Sequence, residues 1–365
     1  MKKLSLILSA LCIGWTLSAQ PGIISTREAN DQGGKVLTME ETILSRELSP
    51  ATIHTMWDDD GTLLTYKDGK FQAYDIATGT YSDYTRKNKL SMQAVSKNGS
   101  LYVIYANGAE RLVAERENDQ ITYGEYVSRN EFGIDGGTFW APNNRKVAFY
   151  RKDESKVTSF PLLDITTRTG SLKEIKYPMA GMDSENVQLG IFDVVTGETV
   201  YAAVDDFGYD RYLTNITWSP DGEMIYIQVL DRSQKHLKLN AYSAQTGDFI
   251  KTILTEDNEK YVEPFDPLYF IKDQNFFIYR TANRDGYRNL YLCDNDGNIR
   301  RLTSVDADVK YVGNDGRYVY YTSAEVSPVE NHLFRIELKN LKKGVAKASC
   351  GKPQTHTFAE EWREI

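Results

Sequence analysis

The feature that most constrains the fold is a strand–turn phrase that recurs along most of the chain. It has an aromatic or apolar pair, a turn rich in Asp, Asn or Gly, and then an alternating apolar strand. The clearest copy is ITWSPDGEMIYI, and the copies occupy residues 56–61, 95–103, 139–144, 216–227, 270–279 and 312–321. Apolar runs bounded by such turn residues are typical of β-hairpins.

A second phrase follows many copies of the first and ends in a tight glycine turn. It reads YDIATG at 74–79, FDVVTG at 192–197, YSAQTG at 242–247 and LCDNDG at 292–297. Glycine accepts the positive φ that such a hairpin turn needs, and an Asp side chain can accept hydrogen bonds from the N–H groups of the turn. The second phrase therefore predicts a second hairpin in each repeat.

Two hairpin phrases that repeat every ~40–50 residues predict a β-propeller of four-stranded blades, about six of them. The spacing is stretched between Asn144 and Pro220, which predicts an insertion at residues 166–182. A β-sandwich with repeated hairpins is the alternative, and it accounts less well for a long regular period. The fold class is therefore predicted as all-β.

The segments outside this pattern differ in character. Residues 37–48, LTMEETILSREL, predict a short helix, with Thr38 and Glu41 as a capping box. From residue 341 the repeated phrase stops, and we expect residues 341–365 to be a divergent, mostly disordered tail. The propeller domain is accordingly predicted over residues 35–340.

The first residues resemble a bacterial signal peptide. Lys2 and Lys3 precede an apolar run at residues 4–17, and Ala19 offers a small-residue cleavage site, so we expect residues 1–19 to be removed on export to the periplasm or beyond. A membrane anchor is the alternative, but the run is short for a span. Lipidation at Cys12 is a further alternative. No other segment is apolar enough to predict a membrane span.

Composition restricts the kinds of partner and ligand that we expect for this chain. The formal net charge of −8 over 365 residues argues against nucleic acid or an anionic membrane surface as the partner. The three cysteines are Cys12, Cys293 and Cys350, and no cysteine or histidine cluster has the spacing of metal ligands. We expect neither a metal nor a cofactor. Cys293 lies in a strand pattern as a small apolar residue, and a 293–350 disulfide is left open.

The strongest candidate for a functional residue is Glu131, in NEFGIDGGTFWAPNNRKVAFY. This carboxylate stands just before a predicted strand–turn–strand unit, and glycines at 133, 136 and 137 let the backbone bend there. A carboxylate at the lip of a sheet can hold a cation through charge-assisted hydrogen bonds. The alternative interpretation is a solvated surface glutamate.

Several stretches, taken together and in order, resemble the N-terminal propeller of secreted serine peptidases of the dipeptidyl peptidase IV family, in its bacterial form. They span about residues 35 to 340 and cover most of the chain. The resembling stretches are residues 35–48, 130–165, 177–197, 212–223, 260–270 and 284–303.

The resemblance implies a function as well as a fold. In this family an eight-bladed propeller caps an α/β-hydrolase domain with a Ser-Asp-His triad, and an acidic motif of the propeller binds the free amino terminus of the peptide substrate. Glu131 matches that motif, with Asn130 where dipeptidyl enzymes have a second acid, so the single acid looks more like the related prolyl tripeptidyl enzymes. Phe265 resembles a residue that lines the substrate pocket. Asp266 stands where the family usually has a basic residue. Members often dimerise.

The chain also departs from the family by what it lacks. It contains no G-x-S-x-G nucleophile elbow, and its histidines, at 54, 236, 332 and 356, lie near no nucleophile motif. We therefore expect the propeller part of a truncated peptidase that is inactive alone. A free-standing periplasmic propeller that binds peptides or proteins is the alternative, and a hydrolase with an unrecognised site is the least favoured hypothesis.

Overall fold

The computed structural model describes residues 55–57, 63–67, 69–75, 78, 80–84, 92–272, 274–341, 344, 345 and 348–355. The predicted leader and the predicted helix at 37–48 lie outside these residues. The chain divides into two compact units, residues 1–88 and 89–365. The described part of each unit is built from antiparallel strands, which confirms the all-β prediction.

The described residues of the first unit form a four-stranded sheet with its strands in chain order. These strands are β1 Thr55–Trp57, β2 Leu63–Lys67, β3 Lys70–Asp75 and β4 Thr80–Asp83. Each pairs antiparallel with the next, as in a meander. Sequential four-stranded meanders are the blades of a propeller.

The second unit opens with a three-stranded sheet and a larger sheet into which a hairpin is inserted. The strands are β5 Gln93–Lys97, β6 Ser100–Ile104, β7 Glu110–Ala114, β8 Ile121–Tyr123, β9 Thr138–Trp140, β10 Lys146–Asp153, β11 Ser159–Asp164, β12 Ser171–Lys176, β13 Asn186–Asp193 and β14 Thr199–Tyr201. The larger sheet has the order β14-β13-β10-β8, and β9 also pairs with β10.

Three more sheets follow in the second unit. Their strands are β15 Arg211–Trp218, β16 Met224–Asp231, β17 His236–Ser243, β18 Phe249–Asp257, β19 Tyr269–Phe270, β20 Phe276–Thr281, β21 Asn289–Asp294, β22 Ile299–Arg301, β23 Lys310–Asn314, β24 Tyr318–Ser327, β25 Glu330–Lys339, β26 Ser349–Cys350 and β27 Gln354–Thr355. The sheets are β15–β18, β19–β22 and β23–β26, with β27 on β25. With the earlier ones they make six blade-like sheets in the described chain, as predicted.

The core of the second unit lies between neighbouring sheets. On β10, Val147 and Phe149 enter one cluster with the β6 strand, while Ala148 and Tyr150 enter another with β15 and β16. Strand β16 alternates in the same way. Ile227 packs in the cluster that also contains residues of β10, whereas Tyr226 packs in the next cluster along the chain. Successive side chains of a strand point to opposite faces, so these strands bury both faces and read as continuous apolar runs.

The glycine turns have the predicted geometry. Gly197, Gly247 and Gly297 have φ values of 80°, 77° and 80°. In the first of these turns the Asp193 carboxylate accepts hydrogen bonds from the N–H groups of Val195 and Thr196, at 2.8 and 3.1 Å. The corresponding Gly79 lies outside the described residues.

The predicted insertion exists, but it begins earlier than the sequence indicated. Strands β11 and β12 form a two-stranded sheet of their own, paired from Ser159↔Lys176 to Asp164↔Ser171. The predicted range of 166–182 does not include β11, because the residue types of this exposed strand do not distinguish it from a strand of a blade.

The expectation of a disordered tail is wrong for the part of the tail that the structure describes. Strand β26 pairs with β25 through Leu338↔Cys350, and β27 pairs with β25 further along. Val345 and Ala348 are buried in the cluster of this last sheet. The tail is held by these contacts with β25, and no periodic pattern of its own marks it.

Two further expectations concern the cysteines and the membrane. Cys293 is buried, at 1% exposed, and both it and Cys350 are free thiols. Burial raises the pKa of the Cys293 thiol well above its usual range. Within the residues described, no helix is long and apolar enough to cross a membrane.

The packing predicts where an apolar truncation destabilises the protein. Ile227 is 0% exposed between two sheets, so Ile227→Ala should lower the free energy of unfolding by about 2–5 kcal/mol. Ile250 lies on β18 and is 46% exposed, so the matched Ile250→Ala should change it by about 0.5 kcal/mol or less. Urea denaturation followed by tryptophan fluorescence measures both. Equal losses would contradict a core placed between the sheets.

Candidate functional site

A cavity of about 430 Å³ lies where three connections of the second unit meet. The connections are those between β8 and β9, between β16 and β17, and between β18 and β19. The lining residues are Asn130, Glu131, Phe132, Gln234, Tyr261, Glu263 and Phe265. The structure therefore brings Asn130, Glu131 and Phe265, the three residues singled out from the sequence, into one pocket.

The loop that carries Glu131, residues 128–133, is called the anchor loop below. Ser128, Arg129 and Asn130 have φ of 51°, 53° and 63°, and Phe132 has 58°. Glu131 itself is extended, with φ −73° and ψ 167°. A left-handed conformation costs an L-residue roughly 1–2 kcal/mol, and Asn tolerates it best. Such strain persists only where surrounding contacts determine the backbone.

Phe132 supplies one of those contacts. It is 7% exposed and packs in a small cluster with Tyr212, Leu230, Leu237 and Val262. The Phe132 and Tyr212 rings lie 4.6 Å apart between centroids. Full burial of such a side chain contributes about 1.5–3 kcal/mol, which is comparable with the strain of one or two left-handed residues.

The first residues of the anchor loop are held by two side chains from the region of the inserted hairpin. The Ser128 N–H donates to Oε1 of Glu185 at 2.6 Å, and the acceptor is buried, at 7% exposed. The Arg129 guanidinium lies 4.7 Å from the centre of the Tyr177 ring, which follows β12. A charged acceptor makes the stronger kind of hydrogen bond.

The far end of the anchor loop is joined to the β18–β19 connection by Asn215. Its side-chain amide donates to the carbonyl oxygens of Phe132, at 3.4 Å, and of Pro264. A Cβ on Gly133 would lie 2.5 Å from the Phe265 carbonyl oxygen, so only glycine fits between the two segments. The walls that carry Glu131 and Phe265 are thus in direct contact.

The Glu131 carboxylate is exposed to the cavity. Among the residues that the structure describes, it has no hydrogen-bond or ion-pair partner. Its charge still acts on its surroundings. Burial raises the pKa of the Tyr212 hydroxyl, the neighbouring Arg232 opposes the rise, and the charge of Glu131 adds to it. The carboxylate is therefore available to a cation that enters the cavity.

A second carboxylate, Glu263, lines the same cavity and was not predicted from the sequence. It accepts a hydrogen bond from Nη2 of Arg288 at 2.9 Å. The Arg288 guanidinium also lies 4.8 Å from the centre of the Phe265 ring. Tyr261 and Glu263 both lie in the stretch 260–270 that was selected together with Phe265, and this proximity in sequence is the signal that could have identified them. Gln234 reaches the cavity from the β16–β17 turn, and no sequence motif marks it.

Asp266, where the family usually has a basic residue, belongs to a different environment. Its side chain is 15% exposed and forms an ion pair with Arg280, and it accepts a hydrogen bond from the Tyr269 hydroxyl at 3.0 Å. It does not line the cavity. No group of three potential metal ligands occurs among the described residues.

Comparison with known proteins places the chain in a family. The model of the dipeptidyl peptidase IV N-terminal region matches residues 55–360. A crystal structure from Bacteroides ovatus, assigned as a dipeptidyl aminopeptidase IV, superposes with a TM-score of 0.63 at 33% identity over 78% of this chain. The chain therefore belongs to the dipeptidyl peptidase IV family and corresponds to its N-terminal region.

Two more distant relatives also match most of the chain. Dipeptidyl peptidase 4 of Porphyromonas gingivalis superposes with a TM-score of 0.62 at 22% identity over 87% of this chain. Dipeptidyl-aminopeptidase B of Aspergillus niger is 24% identical over 75% of this chain. The chain spans 48% and 36% of the lengths of these two proteins, and 44% of the Bacteroides ovatus chain.

The contact between the cavity walls leads to a prediction on the glycines. Gly133→Ala places a Cβ against the Phe265 carbonyl at a φ of +75°, and should lower the free energy of unfolding by at least about 1–2 kcal/mol. Gly136→Ala is the matched control, since its Cβ would meet no atom within 4 Å. Urea denaturation compares the two. A Gly133 variant as stable as the Gly136 variant would show that the walls do not need this close approach.

Proposed function

We propose that the chain is the propeller part of an exported serine aminopeptidase of the dipeptidyl or tripeptidyl, post-proline type. In this proposal the propeller admits peptides to the active site and binds their free amino terminus. The observation that carries it is the exposed Glu131 carboxylate in a cavity that Asn130 and Phe265 also line. Membership of the family supports it. Export is inferred from the leader pattern alone.

The chemistry of the anchor is an ion pair with hydrogen bonds. A peptide α-ammonium offers N–H donors, and the α-amino group titrates near ~7.7–8.0, so it is mostly cationic at neutral pH. A hydrogen bond to a charged group contributes about 1.5–3 kcal/mol. Fixing the amino terminus fixes the distance to the bond that is cleaved. One carboxylate suffices for this role, and Phe265 with Tyr261 supplies an apolar wall for the first side chains.

The second candidate is a free-standing periplasmic propeller that binds peptides or proteins. The same cavity supports it, since binding an amino terminus needs no nucleophile. The coding sequence next to this chain distinguishes the two. A segment encoding a G-x-S-x-G nucleophile elbow in an α/β-hydrolase favours the peptidase, and an unrelated neighbour favours the binding module.

The anchor is tested by binding of the tripeptide Ala-Pro-Ala amide and its N-acetyl form to the purified chain. The free-amine form should bind at least about tenfold more tightly, which is ~1.4 kcal/mol. Glu131→Gln keeps the shape and removes the charge, so it should reduce this ratio toward one. Binding of the free-amine form should also weaken above about pH 8, as the ammonium deprotonates. Ligand-observed NMR titrations measure the dissociation constants.

The N-acetyl peptide is the internal control, because it has no ammonium at any pH. Its affinity should be the same for the wild-type chain and for Glu131→Gln. If both chains bind the free-amine peptide equally, Glu131 is a solvated surface acid and the proposed anchor is wrong.

A second copy of this chain is the partner we propose for the inserted hairpin. Leu163 and Leu172 face each other across the two strands and are 65% and 73% exposed, and Ile165 is 81% exposed. A two-stranded hairpin is marginally stable alone in water, and exposed apolar patches mark interaction sites. The resemblance to a family whose members often dimerise supports this partner.

Sedimentation velocity tests the dimer. The wild-type chain should sediment as a dimer at tens of micromolar, and Leu163→Asp should sediment as a monomer, because it buries a charge at the contact. Leu112→Asp on β7, where Leu112 is 45% exposed, is the control and should stay dimeric. A monomeric wild-type chain, or a dimer that survives Leu163→Asp, would exclude the hairpin as the interface.

A further inference from the structure

We infer that Glu185 and Asn215 are positioning residues that hold the anchor loop at its two ends and so set the direction of the Glu131 carboxylate. Neither residue lines the cavity. The inference rests on the proposed function, because it concerns how the same pocket recognises an amino terminus.

Glu185 holds the beginning of the loop. It precedes β13 and is 7% exposed, and its Oε1 atom accepts the Ser128 N–H at 2.6 Å. Ser128 is the first of three consecutive left-handed residues. A buried N–H that lost this acceptor would have to find another, and the backbone would relax from a conformation that L-residues avoid. The direction of the next residues depends on that first one.

Asn215 holds the end of the loop. It is 8% exposed and lies at an irregularity of β15, where the pairing with β16 shifts between Thr214 and Thr217. Its own φ is +50°. Its Nδ2 atom donates to the carbonyl oxygens of Phe132 and Pro264, and Oγ1 of the adjacent Thr214 is a third acceptor, at 3.4 Å. Bulges often redirect a side chain beside a functional site, and this one directs an amide between two walls of the cavity.

Glu131 lies between these two attachments. It is the one extended residue between left-handed neighbours, and its side chain has no partner of its own among the residues described. Its direction is therefore set by the backbone on either side. Removal of either attachment leaves the charge of Glu131 unchanged but lets the direction of its carboxylate vary. The preference for a peptide with a free amino terminus over an acetylated peptide should therefore fall.

The structural half of the inference is tested by hydrogen exchange of the full chain, read by mass spectrometry on peptides that cover residues 126–136. Glu185→Ala and Asn215→Ala should increase exchange in this segment by at least about tenfold. Glu185→Gln keeps an oxygen acceptor at the same reach and should restore slow exchange. Ile336→Ala removes a side chain on β25 that is 0% exposed and packs in the cluster of the last sheet, which contains no residue of this segment, so it should not raise exchange there selectively.

The functional half uses the Ala-Pro-Ala amide and its N-acetyl form as probes. The ratio of their dissociation constants should fall toward one in Glu185→Ala and Asn215→Ala, as in Glu131→Gln. It should stay within about twofold of wild type in Glu185→Gln and Ile336→Ala. A variant that only destabilises the fold would weaken both peptides together and leave the ratio unchanged.

Each outcome decides either the positioning role of Glu185 and Asn215 or the proposed function. Unchanged exchange at 126–136 in both alanine variants would overturn the positioning role. Increased exchange with a wild-type ratio would also overturn it, because the anchor would work without a fixed loop. A ratio of one in the wild-type chain would instead overturn the proposed function, and the exchange measurement would still show whether Glu185 and Asn215 hold the loop.

Discussion

Burial of both faces of the sheets that contain β10 and β16 is the constraint on which the second unit depends. A strand such as β10 sends Phe149 to one neighbouring sheet and Tyr150 to the other, and both side chains are almost completely buried. No sheet can bury both of its faces by itself, so these two sheets are stabilised by a neighbouring sheet on either side. The connections at the ends of the strands are consequently fixed to a rigid support. The cavity is built from three such connections.

That support allows the anchor loop to keep a backbone that isolated peptides avoid. Four non-glycine residues between 128 and 132 have positive φ, and the contacts that determine them come from separate places in the chain. Phe132 packs on strands β15 to β17. Gln228, buried on β16, donates to the carbonyl oxygen of Asp266 in the β18–β19 connection at 2.8 Å. Strain of this kind is common at binding sites, where it fixes a functional group before the ligand arrives.

The sequence predicted the fold better than the site, for a physical reason. Residues 216–227 carry strand periodicity, a Pro-Asp-Gly turn and aromatic residues within one short stretch, so local signals agree with the tertiary structure. Glu131 was singled out as a carboxylate beside a glycine-rich bend, whereas Asn130 and Phe265 were selected by resemblance, since no local pattern shows that segments more than 130 residues apart share a cavity. Gln234 and Asn215 are brought to the cavity and to the anchor loop by the tertiary structure alone. The β26 and β27 strands escaped prediction because pairing with β25 creates them.

The electrostatics of the cavity identify which carboxylate is free to bind a cation. Glu263 and Glu131 both line it, but the charge of Glu263 is balanced by Arg288, which also packs over Phe265. Arg288 lies within 4.0 Å of Asp308 as well, so it is held on that side. An ammonium approaching Glu263 therefore meets a guanidinium beside it, and the repulsion between like charges disfavours that position. Glu131 lacks such a partner within the described chain, so in the proposed function it is the single carboxylate that binds the amino terminus.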